Sequence, residues 1–255
     1  MMIDLPSANE EFIKYVKDFD VSNKRIKGKQ RHSIRVENIS KIIAEDLSIS
    51  QEEIKLAMLI GLLHDIGRFE QERQYHTFND LESFDHGDYG ADLLKKIIRN
   101  YIDMDQYDNV IIESVRNHNK LRIDENLTEQ EKFFAKLVRD ADKLDIMDET
   151  INLFYKKIED LVNESDISDY TMNFIRNRQT VAMSKNIEIS YLDGVVRTIA
   201  LVFDLNYMKS FEILKEQDYI NRIIDRFNYK NKHAKECIEE VRKIANMFVD
   251  EKFKK

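Results

Sequence analysis

Apolar residues recur every three or four positions along most of the chain, which is the spacing of amphipathic helices. The helices that this spacing predicts in the first half lie near residues 33–47, 51–66, 86–102 and 106–119. Two capping boxes, Ser7–Glu10 and Thr128–Glu131, predict the starts of two more helices. From about residue 147 onward the amphipathic patterns continue, as in 195–214 and 234–253.

One segment of the first half, residues 68–85, is polar and aromatic and has no clear period. It predicts a loop between two helices that is long enough to be functional. No Pro/Gly-rich linker divides the chain. We therefore expect a single all-α domain over residues 1–255, in which the later helices pack on the earlier ones.

The composition supports an almost purely helical globular protein. Hydrophobic residues make up 42% of the chain, and its six glycines and one proline are far fewer than usual. The formal charge of −8 makes nucleic-acid binding unfavourable. No signal-peptide pattern and no apolar run of about 18 residues occurs, so we expect a cytoplasmic protein that binds no membrane. The single cysteine, Cys237, has the helical spacing of a core residue.

Residues 59–70, LIGLLHDIGRFE, place a histidine and an aspartate inside an apolar run. Only one charged residue lies between Ile54 and Leu63, so we expect this helix to be buried on nearly every side and to end at Gly67. An ionised Asp65 in such surroundings is costly unless a cation or strong hydrogen-bond donors meet it. A metal ion is the simplest compensating group.

Helical spacing places further histidines and a second aspartate on inward faces, because each follows or precedes apolar residues by three or four positions. The inward groups, from five predicted helices, are His32, His64, Asp65, His86, His118 and Asp142. A lone inward histidine is an ordinary core residue, and His233 is assigned no function on that ground. So many inward groups are hard to explain as core filling, since every buried polar group needs a partner. Imidazole and carboxylate together suit Mn, Fe, Co, Ni or Zn.

The order of these motifs is specific. His32 is followed by HD at 64–65, by HGDYGADLL from His86, by RNHNK around His118 and by RDADKLD around Asp142. This order resembles the HD-domain superfamily of metal-dependent phosphohydrolases. The resemblance covers residues 28–150, which would form the metal-binding core of a helical bundle. Residues 151–255 would be a C-terminal helical extension packed on it.

The resemblance implies a ligand set. One metal ion would be held by His32, His64, Asp65 and Asp142, and Asp65 would bridge to a second ion held by His86 and His118. Asp65 would thus be the central catalytic residue. The two extra histidines favour two divalent transition-metal ions over one.

Several residues near these motifs are candidates for contact with a phosphorylated substrate. They are Arg68, Arg73, Tyr75, Lys120, Arg139 and Lys143. Lys143 has an alternative partner in Asp145, which is also a candidate acceptor for the proton of a ligand histidine. The basic stretch from Asn23 to Arg35 could form a positive rim that steers an anionic substrate.

The leading functional hypothesis is hydrolysis of a phosphate ester or anhydride of a nucleotide or another small phosphorylated metabolite. Two metal ions suit such an in-line displacement. The absence of any proline after Pro6 excludes the Gly-Tyr-Pro signature of the cyclic-di-GMP phosphodiesterase branch. Ile66 and Gly67 after the HD pair differ from the Glu-Asp pair of the alarmone-hydrolase branch.

Two other classes stay open. A few members of the superfamily use the same six ligands in a di-iron oxygenase that cleaves C–C or C–P bonds. A ligand-sensing module without catalysis is the third class. The substrate, the native metal and the formation of a homo-oligomer are not determined by the sequence.

Overall fold

The computed structural model describes residues 3–152, 156–182 and 186–254. These residues form thirteen α-helices and four short 3-10 segments and contain no β-strand, which confirms the all-α fold. The helices are α1 (Leu5–Lys17), α2 (Lys24–Asp46), α3 (Gln51–Leu63), α4 (Ile66–Tyr75), α5 (His86–Ile97), α6 (Asp108–Asn117), α7 (Glu129–Asn152), α8 (Lys156–Glu164), α9 (Asp169–Arg176), α10 (Tyr191–Ile199), α11 (Met208–Glu216), α12 (Tyr219–Asp225) and α13 (Lys232–Lys252). None of the described helices combines the length and apolar character needed to cross a membrane.

One of the two predicted capping boxes is confirmed. At the start of α7, the Thr128 hydroxyl accepts a hydrogen bond from the Glu131 backbone N–H at 3.2 Å, and the Glu131 carboxylate accepts one from the Thr128 N–H at 2.7 Å. The prediction at Ser7 is wrong, because α1 begins two residues earlier. Asp4 caps that helix, and its carboxylate accepts the backbone N–H of Ser7.

The helix predicted over 51–66 is interrupted. It ends at Leu63, and a new helix, α4, begins at Ile66 and runs to Tyr75. His64 and Asp65 therefore lie at a junction between two helices and not inside one. The loop predicted over 68–85 is consequently helical in its first part, and Gly67 lies within α4 instead of ending a helix.

The chain divides into two compact units, Met1–Asp142 and Lys143–Lys255, with the boundary inside α7. In the first unit, α3 is the central helix and contacts α1, α2 and α6, while α5 contacts α4 and α6. The prediction that α3 is buried on nearly every side is confirmed, since its residues from Leu56 to Leu63 are at most partly exposed and most are fully buried. This unit contains all six candidate metal ligands.

In the second unit, the long C-terminal helix α13 contacts α9, α11 and α12. Cys237 on α13 is buried, as the sequence predicts for a core residue. His233 lies four residues earlier, is about half exposed and pairs with Asp166 at 2.9 Å. The organisation as a single domain over residues 1–255 stays a prediction.

Two helices of the first unit approach so closely that only glycine fits between them. A Cβ atom on Gly67 of α4 would lie 2.4 Å from the backbone oxygen of His86 and 3.0 Å from the backbone nitrogen of Gly90, both on α5. Backbone atoms cannot move aside as the end of a flexible side chain can. Gly67 therefore sets the spacing between the helix that follows Asp65 and the helix that begins at His86.

We predict that Gly67→Ala lowers the free energy of unfolding by about 1–3 kcal/mol, because the added methyl group overlaps the backbone of α5. Chemical denaturation of the purified protein measures this change. Gly28→Ala is the matched control, since a Cβ atom at Gly28 would meet nothing within 4 Å, and it should stabilise α2 by about 0.5–1 kcal/mol. A Gly67→Ala protein as stable as the wild type would contradict the role assigned to the close approach.

Candidate metal centre

Five regions of the first unit place the six candidate ligands next to one another. His32 lies on α2, His64 and Asp65 form the junction of α3 and α4, and His86 is the first residue of α5. His118 follows the last residue of α6 and Asp142 lies on α7. All except Asp142, which is partly exposed, are buried. Helices that are distant in the sequence thus bring together residues that are up to 110 positions apart in the chain (32 to 142).

Four of these residues form the first donor group. The Nε2 atom of His32 lies 3.1 Å from Nε2 of His64 and 3.0 Å from Oδ1 of Asp142. Oδ2 of Asp65 lies 3.4 Å from the same atom of His32 and 3.5 Å from Nε2 of His64. Two nitrogens and two oxygens therefore converge on one small volume.

The remaining two histidines form the second donor group with the other oxygen of Asp65. Nε2 of His86 lies 3.0 Å from Nε2 of His118. Oδ1 of Asp65 lies 3.3 Å from His86 Nε2 and 3.6 Å from His118 Nε2. Asp65 is thus shared, with one carboxylate oxygen in each donor group.

Hydrogen bonds fix which nitrogen carries the proton in three of the imidazoles. Nδ1 of His64 lies 2.8 Å from the carbonyl oxygen of Gly61, and Nδ1 of His118 lies 2.6 Å from that of Val115. A carbonyl oxygen only accepts, so Nδ1 donates in both rings. Nδ1 of His86 donates in the same way to the carboxylate of Asp80 at 2.7 Å. In a neutral ring with its proton on Nδ1, the Nε2 atom therefore presents a lone pair to its donor group.

These lone pairs need a cation. In the second donor group, the Nε2 atoms of His86 and His118 and an oxygen of Asp65 face one another. When both rings are neutral with their protons on Nδ1, all three atoms are acceptors. Such an arrangement is repulsive unless a positive ion lies among the three atoms. Imidazole nitrogen and carboxylate oxygen are the ligands that Zn and the neighbouring divalent metals accept, at distances of about 2.0–2.2 Å. The residues present therefore fit divalent transition-metal ions.

The charge states at neutral pH suit metal binding as well. Burial opposes ionisation of Asp65 and Asp142, but Lys29 beside Asp65 and a hydrogen bond from His32 to Asp142 hold the pKa of these carboxyls well below the usual range. Burial lowers the pKa of His64, and burial together with Arg68 lowers the pKa of His86 to about 4. The carboxylates are thus charged and these two imidazoles neutral, as ligands must be.

Two residues of the site were not singled out from the sequence. Lys29, known only as part of a basic stretch, pairs with Oδ2 of Asp65 at 2.6 Å. Asp80 accepts the Nδ1 proton of His86, and this hydrogen bond helps to keep the pKa of the Asp80 carboxyl low against the effect of burial. Asp80 lies in the aperiodic segment before α5, where no pattern could reveal it.

Two of the three arginines predicted to contact substrate, Arg68 and Arg139, donate hydrogen bonds to other groups of the protein. Arg139 is almost fully buried, and its Nη1 donates to three carbonyl oxygens at and just beyond the C-terminal end of α6, those of Asn117, His118 and Lys120. This arrangement favours a role in holding the end of α6, and with it His118. Arg68 donates through Nη1 to the Asp80 carboxylate at 2.9 Å, and its Nε lies 3.5 Å from Oδ1 of Asp65.

The other predicted contacts differ in their placement. Lys120 is partly exposed and pairs with Asp85 and Asp88 at 2.6 and 2.9 Å. Arg73 and Tyr75 are both about half exposed on α4. Their part in substrate binding stays a prediction.

Lys143 and Asp145 lie on the part of α7 that belongs to the second unit. Lys143 pairs with Asp204 at 2.9 Å. Asp145 is buried, and its predicted part in orienting a ligand histidine stays a prediction.

The HD domain family model matches residues 30–147, a segment that contains all six candidate ligands. No curated protein and no solved structure matches the chain significantly. The His and Asp groups of the matched segment could hold metal ions. The match therefore supports HD-domain superfamily membership for residues 30–147.

Proposed function

We propose that this protein is a metal-dependent phosphohydrolase with two divalent metal ions, which acts on a phosphate ester or anhydride of a nucleotide or another small phosphorylated metabolite. The observation that carries the proposal is that the two oxygens of the Asp65 carboxylate have different neighbours. Each of its oxygens faces a different group of imidazole nitrogens, at 3.3–3.6 Å. A carboxylate so placed is suited to bridge two ions.

The chain would hold one ion through His32, His64, Asp65 and Asp142 and the other through Asp65, His86 and His118. When bound, two such ions supply Lewis acidity toward the phosphoryl oxygens and activate the attacking water. The protein supplies the orientation of the ligands. The carbonyls of Gly61 and Val115 hold the protons of His64 and His118 at Nδ1 and so keep both Nε2 atoms free.

Positive side chains beside the site support an anionic substrate. Lys29 and Arg68 each lie within 3.5 Å of an oxygen of Asp65, and the Lys29 side chain retains a fifth of its exposure. The protein as a whole carries a formal charge of −8, so these two side chains place positive charge locally in a protein of net negative charge. A phosphate group at the site would meet them at the boundary between the buried ligands and solvent.

We predict that the wild-type protein binds about two ions of Mn²⁺ per chain and that His118→Gln binds about one, because only the second donor group loses a nitrogen ligand. Elemental analysis after reconstitution and desalting measures the stoichiometry. His233→Gln is the matched control, since His233 lies in the second unit, is half exposed and pairs with Asp166. An unchanged stoichiometry in His118→Gln, or a wild type without bound metal, would contradict the dinuclear site.

We predict that the reconstituted protein releases phosphate from one class of substrate in a panel of nucleotides and sugar phosphates. Asp65→Asn should abolish the reaction, because an amide offers only one oxygen where two are needed. Phosphate release and O₂ consumption are to be measured together with Mn²⁺ or Co²⁺ and with iron. Substrate-dependent O₂ uptake without phosphate release would favour the di-iron oxygenase instead.

We predict that Asp80→Asn weakens metal affinity or activity by about 10–100-fold, as the loss of a partner of a ligand histidine usually does. The carboxylate of Asp80 accepts the Nδ1 proton of His86, whereas an amide can also turn its NH₂ toward the ring. Asp103→Asn, at an exposed position of the same unit, is the control. Equal metal affinity and activity in the two variants would exclude the role assigned to Asp80.

A further inference from the structure

Lys29 occupies a position that links the candidate metal site to solvent. It precedes His32 by three residues, so both side chains lie on the same side of α2. Its Nζ atom is 2.6 Å from Oδ2 of Asp65 and 5.7 Å from the centre of the Phe78 ring. The Lys29 side chain is 20% exposed, whereas those of Asp65 and His32 are 3% and 1% exposed. The ammonium group thus enters the site from its edge.

The oxygen that Lys29 contacts belongs to the first donor group. Oδ2 of Asp65 is also the oxygen that faces the Nε2 atoms of His32 and His64. An ion held by these residues would use the same lone pairs that now accept the ammonium group. Two positive charges at one carboxylate oxygen repel each other, and the repulsion is strong where water is excluded.

Arg68 does not share this position. Its Nε faces the other oxygen of Asp65, and its Nη1 donates to Gln71, to the carbonyl oxygen of Phe78 and to Asp80. Its guanidinium is therefore fixed by several acceptors. Among the described residues, Lys29 makes one ion pair, with Asp65, and holds it at the end of a flexible side chain. It can therefore turn away from Asp65 without breaking other hydrogen bonds to this part of the chain.

We propose that Lys29 and the metal ion compete for Oδ2 of Asp65, so that metal binding turns the ammonium group toward an anionic ligand at the edge of the site. Lys29 stabilises the buried carboxylate before the ion binds. After the ion binds, the displaced ammonium group contacts the phosphate of the substrate. The inference rests on the proposed metal site and adds a substrate-contacting residue to it.

The first test is the affinity of chelator-treated protein for Mn²⁺, measured by calorimetric titration. Lys29→Met should bind Mn²⁺ about tenfold more tightly than the wild type, within the range usual for coupled binding events. Lys29→Arg keeps the charge and should stay near the wild type. Lys27→Met removes an exposed lysine two residues away on the same helix and should change nothing. A Lys29→Met affinity equal to or weaker than that of the wild type would overturn the competition.

The second test is thermal unfolding. It shows whether the variant folds and whether Lys29 stabilises the buried negative charge of Asp65. Without metal, Lys29→Met should unfold at a lower temperature than Lys27→Met, because its buried carboxylate has lost its cation. Saturating Mn²⁺ should remove that difference. Equal unfolding temperatures in the metal-free variants would overturn the stabilising role of Lys29.

The third test uses inorganic phosphate as the probe. Phosphate should bind the Mn²⁺-loaded wild type about tenfold more tightly than it binds Mn²⁺-loaded Lys29→Met, which is a loss in the range expected for one charged contact. Equal phosphate affinities would overturn the contact with the anion. A protein that binds Mn²⁺ and phosphate as expected but hydrolyses no phosphate ester contradicts only the proposed function. A wild type that binds no Mn²⁺ overturns both proposals.

Discussion

The buried carboxylate of Asp65 is the group on which the rest of the candidate site depends. Its side chain is 3% exposed, yet its surroundings keep it ionised, and each of its two oxygens faces its own group of imidazole nitrogens. No neutral side chain of similar size could replace it. An asparagine would offer one oxygen and one NH₂ group, and could therefore serve only one of the two donor groups.

Backbone geometry places this carboxylate. The chain breaks its helical path at His64 and Asp65, so that α3 ends and α4 begins where the two side chains are needed. The close approach of α4 to α5 at Gly67 then brings His86 next to Asp65. Carbonyl oxygens at the ends of α3 and α6 orient His64 and His118. Four of the six ligands, His64, Asp65, His86 and His118, thus lie at helix ends, while His32 and Asp142 lie within α2 and α7.

The arginines and the lysines near the site have different roles, because their charged groups differ in shape and in number of hydrogen-bond donors. The guanidinium groups of Arg68 and Arg139 each donate to several acceptors at once and hold parts of the site together. The ammonium groups of Lys29 and Lys120 form ion pairs at more exposed positions. This difference follows from the planar, multiply donating form of arginine and the single mobile charge of lysine.

The sequence by itself determined the all-α fold, the six candidate ligands and the beginning of α7. Helical periodicity and the Thr128–Glu131 capping box are local properties, and the ligand motifs are specific in residue type and order. The tertiary structure alone decided the break between α3 and α4, the pairing of His86 with Asp80 and the pairing of Asp65 with Lys29. Asp65 and Lys29 are 36 positions apart, and the helices between them bring them together. Such contacts depend on how helices pack, which no spacing along the chain records.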